Sequence, residues 1–263
     1  MRIPEPLVVR EEPRTGIALV RMQSPPVNSW KAEFIDAFER VVDGLLAATQ
    51  RAVIFTGTGA HFSAGGDFHL FETITDEARA RDFVGRVQGL MDKVAAIPVP
   101  CIAAINGTAL GGGLELALAC DIRVATPSAK LGQPETRWAI LAGAGGTQRL
   151  ARLIGPGAAK LMMYTAAPID GVEAHRIGLV DRLSENPLDE ALKIADQIAG
   201  NSPRAVRNVK RCVDEGLDLA LVEGLRLERD LWVDLIPGGN LQEAARAFFE
   251  SRPPVYPDSD ESP

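Results

Sequence analysis

Two glycine-rich turns and two acids carry the chemistry of this chain. The turns are Phe62-Ser63-Ala64-Gly65-Gly66-Asp67 and Ala109-Leu110-Gly111-Gly112-Gly113-Leu114-Glu115, and the second acid lies in Gly132-Gln133-Pro134-Glu135. Glycine backbone lets a ligand approach the amides closely. Two such N–H groups can hold a carbonyl oxygen as it gains negative charge, while carboxyl groups beside it move protons, so the pattern points to chemistry next to a carbonyl. Gly112 is placed just ahead of a helix beginning near Leu114, where free N–H groups and the positive dipole end favour an anion. Glu115 follows three residues later, which brings its side chain near the face of that amide. Pro134 stiffens the approach to Glu135. Taken singly, a glycine triplet usually makes a tight turn, a glutamate in a first helical turn is usually a dipole partner, and one in a loop is usually solvated.

The elements that must position these residues alternate. Residues 7–10 and 17–22 read as two strands joined by a turn at Pro13-Arg14-Thr15-Gly16, with Pro25 and Pro26 stopping the second. From 29 to 49 the apolar residues Phe34, Phe38, Val41, Val42, Leu45 and Leu46 recur at helical spacing, with Ser29 as cap. Strands over 52–55, 101–105 and 122–125 are short and apolar, as expected when buried, and helices are expected over 76–96 and 114–119. Strand alternating with helix argues for an α/β core of parallel strands covered by helices. From about Pro187 the pattern is helical only: 188–199, 203–215, 217–235 and 241–250. The expected organisation is a core over 1–186 that holds the site, a helical region over 187–252, and a fraying tail rich in Pro, Asp and Ser over 253–263.

Size and charge narrow the classes. A chain of 263 residues, 46% of them hydrophobic, can bury one large core or one core plus a small domain. Its net charge of -7, without a long run of Lys and Arg, argues against nucleic acid or an anionic membrane as the main partner. Cys101, Cys120 and Cys212 are odd in number and widely spaced, which suits thiols in a reducing compartment. No apolar run approaches the roughly 20 residues of a membrane span, and the start of the chain lacks the order of a signal peptide. A cytoplasmic protein is expected.

Several motifs in order make the chain resemble the crotonase, or enoyl-CoA hydratase/isomerase, superfamily. They are Pro26-Val27-Asn28, the turn 62–67, Asn106-Gly107-Thr108 running on through 109–117, Cys120-Asp121, Gly132-Gln133-Pro134-Glu135, and Gly143-Ala144-Gly145-Gly146-Thr147-Gln148-Arg149. The similarity runs from the N-terminal strands to Arg252. It implies a spiral of repeated ββα turns, a helical C-terminal region that packs protomers into a homotrimer or homohexamer, and an acyl-CoA ligand of fatty acid metabolism. It implies that the Gly66 and Gly112 amides form the oxyanion hole, and that Glu115 and Glu135 are the acids that hold a water between them. By the same resemblance Glu115 is the better candidate for the base and Glu135 for the acid, although the sequence does not fix that division.

The resemblance also places Ala64, Asp67 and the segment after Asn28 along the CoA groove, and makes Gly143 a substrate contact. Lys31 and Arg21 could meet phosphates, but such side chains are more often plain surface charges. The acyl tail is expected past Phe68, Leu70, Phe71, Phe83, Val87 and Trp138, side chains that equally suit ordinary core. No metal and no cofactor beyond the substrate's own coenzyme A are expected. His61, His69 and His175 lack ligand spacing, though His61 and His69 flank the first turn.

After Glu135, Trp138-Ala139-Ile140-Leu141-Ala142 departs from the family's usual Gly and Pro. A side chain at the glycine position disfavours positive φ, so the loop is expected to sit differently. Hydration of a 2-enoyl-CoA is the expected reaction. Alternatives are isomerisation of a 3-enoyl to a 2-enoyl thioester, a specialised reaction such as decarboxylation, and a non-catalytic acyl-CoA-binding or scaffold protein.

Overall fold

The computed structural model describes residues 6–257; residues 1–5 and the end of the expected tail, 258–263, lie outside the described residues. The chain opens with β1 (Val8–Arg14) and β2 (Ile17–Met22), an antiparallel hairpin turning at Thr15 and Gly16. Helix α1 (Ala32–Leu46) follows, burying Phe34, Ile35, Phe38, Val42 and Leu45 on one face. Ser29 is not its cap. The helix starts three residues later behind Lys31, which makes no capping bond, because Trp30 is drawn into an isolated parallel bridge with Gly66.

Three similar turns of chain come next. In the first, β3 (Ala52–Gly57) and β4 (His61–Ser63) lead to α2 (Phe68–Phe71) and α3 (Glu77–Ala95). In the second, β5 (Cys101–Ile105) and β6 (Thr108–Leu110) lead to α4 (Gly112–Ala119). In the third, β7 (Ile122–Ala125) and β8 (Lys130–Gly132) lead through a 3₁₀ turn (Glu135–Trp138) to α5 (Gly146–Ile154). Equivalent strands stack in parallel, β3 on β5 on β7 and β4 on β6 on β8. This is the expected ββα spiral: every turn adds one strand to each of two sheets.

Helix α6 (Pro156–Thr165), β9 (Ile169–Asp170), α7 (Gly171–Arg176) and β10 (Arg182–Leu183) close the spiral, giving sheet orders β1-β2-β3-β5-β7-β10 and β4-β6-β8-β9. One face of the larger sheet meets the main core with α1, α3 and α4. The other face receives α8 (Pro187–Ala199), whose Ala191 and Ala195 let it lie against Ile54, Ile102, Ala104 and Val124. Beyond it stand α9 (Pro203–Gly216), α10 (Leu221–Val233) and α11 (Asn240–Phe249).

Helix α9 is tied to the core by one ion pair. Lys210 Nζ lies 2.5 Å from Asp121 Oδ1, and Asp121 Oδ2 accepts from the Cys101 amide at 2.7 Å. Breaking a fully buried pair costs roughly 3–5 kcal/mol. Here the two side chains keep 10% and 24% exposure, so Lys210→Met should cost about 2 kcal/mol, read as a lower midpoint in urea unfolding. An unchanged midpoint would show that packing alone docks α9.

Candidate active site

The first glycine turn is held from outside by the segment before α1. Ser63 Oγ accepts from Trp30 Nε1 at 2.9 Å and from the Gly65 amide at 3.1 Å, and donates to Asn28 O at 2.8 Å. The Ala64 amide bonds Val27 O at 3.0 Å and the Asp67 amide bonds Trp30 O at 3.3 Å. Asn28 sits in the left-handed region at φ 54, and its side-chain amide donates to Thr58 O and His61 O at 3.0 and 2.8 Å. The amides of 64, 65 and 67 are therefore spent. Among the described residues, the Gly66 N–H has no acceptor.

The second turn presses against the first. A Cβ on Gly65, whose φ is +86, would stand 2.7 Å from Leu110 O and 2.9 Å from Gly112 N, so only glycine permits the approach. The Gly111 amide bonds Gly132 O at 3.0 Å and the Glu115 amide bonds Gly111 O at 2.9 Å. Gly112 is the first residue of α4 and does not lie ahead of it as the sequence suggested. Its N–H is one of the helix's unpaired donors and has no acceptor among the described residues. A Cβ on Gly112 would be 3.9 Å from Gly66 N, so the two unspent amides stand side by side.

Both glutamates come to this place. Glu115 lies in the first turn of α4 and is 4% exposed. Its Oε1 accepts from the Ala144 amide at 2.7 Å and the Gly146 amide at 2.8 Å. That loop is clamped in turn by Arg149, which reaches Ala144 O at 3.3 Å and Asp92 at 2.6 Å. Burial pushes the Glu115 carboxyl above its ordinary pKa, while the two amides pull it down. Glu135 opens the 3₁₀ turn with its Oε1 only 2.9 Å from where a Gly111 Cβ would stand. Burial, with the Glu115 charge adding to it, pushes Glu135 up to about 7. Near neutral pH the pair is suited to hold one charge and one proton.

Sequence reasoning quoted Gln133 in a motif without giving it a task. Its side chain is 1% exposed, and with the amide turned to donate, the nitrogen lies 3.0 and 3.2 Å from Glu135 Oε1 and Oε2. The Ala144 and Gly146 amides were likewise missed. Alternation and spacing carry no signal for a backbone amide aimed at a carboxylate.

The loop after Glu135 keeps a left-handed residue despite the missing glycine. Ala139 has φ 59 and ψ 24, a conformation costing an alanine roughly 1–2 kcal/mol. The turn is pinned by Thr136 Oγ1 donating to Met163 O at 2.6 Å. Next to it, Trp138 meets Phe68 edge to face at 4.8 Å, Phe68 meets Phe71 at 5.8 Å, and Phe71 meets Phe83 at 5.8 Å. Phe68 and Trp138 are each 52% exposed, while Val87 is buried and Leu70 packs against the core. Gly143 faces the Val84 methyls.

Asp67, next to Gly66 in the first turn, caps α2 through the His69 amide, Arg21 pairs with Glu11, and Lys31 is exposed. His69 lies near Glu72, and His175 Nδ1 is 2.8 Å from Val180 O. Among the described residues no three His, Cys, Asp or Glu side chains group to hold a metal, and no helix is long and apolar enough to cross a membrane.

A spiral of this form is that of the crotonase superfamily. The enoyl-CoA hydratase/isomerase family model matches residues 12–259, and the chain belongs to that family. It is 42% identical over 247 residues to YngF of Bacillus subtilis (strain 168), which carries an enoyl-CoA hydratase/isomerase name, covering 91% of this chain and 94% of that one. It is 37% identical over 267 residues to the mitochondrial methylglutaconyl-CoA hydratase of Homo sapiens, covering 97% and 78%. The crystal structure of an enoyl-CoA hydratase from Bacillus anthracis superposes with a TM-score of 0.92 at 36% identity, covering 96% of this chain and all of that one.

The spacing of the amides makes a test. A methyl at Gly112 meets nothing nearer than Gly65 Cα at 3.6 Å, so Gly112→Ala should fold with a parent-like melting curve. The same methyl would lie 3.9 Å from Gly66 N and crowd an oxygen seated on the two N–H groups, so turnover should drop about 10²- to 10³-fold, the scale of losing one such hydrogen bond. Parent-like turnover by Gly112→Ala would show that no reacting oxygen sits against that face of the turn.

Proposed function

We propose that the protein hydrates a 2-enoyl-CoA thioester to the 3-hydroxyacyl-CoA. The observation that carries this reading is the pair of unspent Gly66 and Gly112 amides beside two carboxyls, Glu115 buried and Glu135 half-buried, both pushed above the ordinary range by burial. The thioester oxygen accepts from both N–H groups, which draws electrons from the double bond and makes C3 electrophilic. Glu115, whose charged form the two peptide amides favour against its burial, takes a proton from water as the water oxygen bonds to C3. Glu135 supplies its proton to C2. The sum adds one water and changes no oxidation state, so coenzyme A within the substrate is the only group required. A single acid would suffice to move a proton in isomerisation, and the second carboxyl is what favours hydration.

In this reading the pantetheine lies by Ala64, Asp67 and the segment after Asn28. The acyl end passes Gly143 and leaves along the Phe68 and Trp138 rings. The exposed apolar side chains of the C-terminal helices, among them Leu217, Leu221, Phe248 and Phe249, would be covered in a homotrimer or homohexamer.

Loss of the conjugated-thioester absorbance of crotonyl-CoA tests the reaction. Glu115→Gln and Glu135→Gln should each slow it by about 10²- to 10⁴-fold. Parent-like rates in both variants would end the two-carboxyl mechanism. Hydration needs Glu115 ionised and Glu135 protonated, so kcat/KM should fall as pH rises through about 7, the value to which Glu135 is pushed. A rate still climbing at pH 8 would reverse the assignment of acid and base.

The aromatic rim gives a second test. Trp138→Ala removes the ring at the mouth, and the ratio of kcat/KM for a ten-carbon to a four-carbon 2-enoyl thioester should fall about tenfold, the scale of a few methylenes in an apolar pocket. An unchanged ratio would take the acyl end elsewhere.

A further inference from the structure

Among the described residues, Gln133 is a neutral polar side chain that the fold buries against the acid pair. It stands between the end of β8 and Pro134, is 1% exposed, and belongs to neither glycine turn. Its terminal amide lies within 3.0 and 3.2 Å of the two Glu135 oxygens. A Cβ on Gly146 would stand 2.7 Å from the other end of that amide and 2.9 Å from Glu115 Oε1, so the Gln133 side chain lies on the Glu115 side of the pair as well. A buried amide is kept in such a place only if its polar ends are used.

We propose that Gln133 is a positioning residue that holds the Glu135 carboxyl over the Gly111 turn and keeps it able to release the proton it carries. This rests on the hydratase reading above. Glu115 receives two peptide N–H groups; Glu135 receives one side-chain amide. Donation from Gln133 favours the charged form of Glu135 and opposes the burial and Glu115 charge that drive it upward. The amide therefore keeps Glu135 acidic enough to give up its proton in each cycle, yet leaves it the weaker acid of the pair.

The other charged groups on the surrounding elements do not replace this control. Arg149 on α5 is engaged by Asp92 and Ala144 O and lowers Glu115. Arg137, in the same turn as Glu135, and Lys160 on α6 are exposed. Among charged neighbours, Glu115 is the one that shifts Glu135.

The test compares the parent with Gln133→Met, which keeps the length and removes the donor, and Gln133→Asn, which keeps an amide on a shorter arm. With crotonyl-CoA, Gln133→Met should lower kcat about tenfold with KM within about twofold, and move the alkaline limb of the pH profile upward by about one unit. Gln133→Asn should fall between Gln133→Met and the parent. An unmoved limb, or a raised KM at unchanged kcat, would overturn the proposal. An infrared titration of the carboxyl band in the unliganded proteins, with Glu135→Gln to assign it, reads the same shift without turnover. A protein that shifts there but hydrates nothing would keep Gln133's control of Glu135 and refute the hydratase reading. Should Gln133→Met fail to fold, the Gln133→Asn titration alone decides: a parent-like band position overturns the proposal.

Discussion

Two backbone amides left without a partner, side by side, are the constraint around which this structure is arranged. Gly66 and Gly112 are both half-buried, so their N–H groups forgo only part of the roughly 1–3 kcal/mol that a fully buried donor without an acceptor loses, yet a chain free to relax would still turn the peptide and pair it. The surroundings forbid that. On one side Ser63, Val27 and Trp30 consume every neighbouring amide of the first turn. On the other, the Gly111 amide is spent on β8 and the next residue already begins a helix. The spiral supplies this geometry because β4, β6 and β8 pair side by side in parallel, so the turns leaving β4 and β6 meet, and contact at Gly65 leaves no room for a side chain.

The same stacking explains the unequal carboxyls. Glu115 and Glu135 leave successive turns of the spiral, one from the helix after β6 and one from the loop after β8, so they converge without being near in sequence. Burial alone would neutralise both. Peptide N–H groups from the 144–146 loop reach only Glu115, and that loop is held by Arg149 from α5. The asymmetry is thus a property of backbone placement. An Arg or Lys in contact with either carboxyl would hold it charged, whereas peptide dipoles leave it able to change state.

Much of this was legible in the residues, and the part that was not has physical reasons. The long elements were readable because burial on one face leaves a period: α1, α3, β3, β5 and β7 fall within a few residues of their expected places. The strands β4, β6 and β8 were not, since runs of three residues are too short to show an alternation, and neighbours one spiral turn away pair with them. Gly66, Gly112, Glu115 and Glu135 stood out because glycine runs and acids are unusual beside apolar segments, and the structure brings all four together. Gln133 did not stand out. Its role depends on a neighbour two residues away pointing back at it, which a one-dimensional pattern cannot encode. Nor does the sequence pattern show that Ala139 adopts the left-handed region, where anchoring through Thr136 holds the turn against the preference of its Cβ.

Costs that are scattered in most proteins are gathered here in one place. Unpaired amides, a carboxyl raised toward neutrality and a left-handed alanine all lie in the turns that leave β4, β6 and β8. None of them stabilises the fold, and each could be removed by a single substitution to a quieter residue. Their coincidence around one point is hard to derive from packing, since the core beneath them is filled by Leu114, Leu116, Leu131 and Leu150 in fully buried positions. It follows directly if the point is where a carbonyl oxygen gains charge and protons change hands, because strain and unmet polarity held ready in the free protein are what a bound transition state relieves. The stability to hold them comes from the sheets below, which is why the site sits at the strand ends and not in the helices beyond.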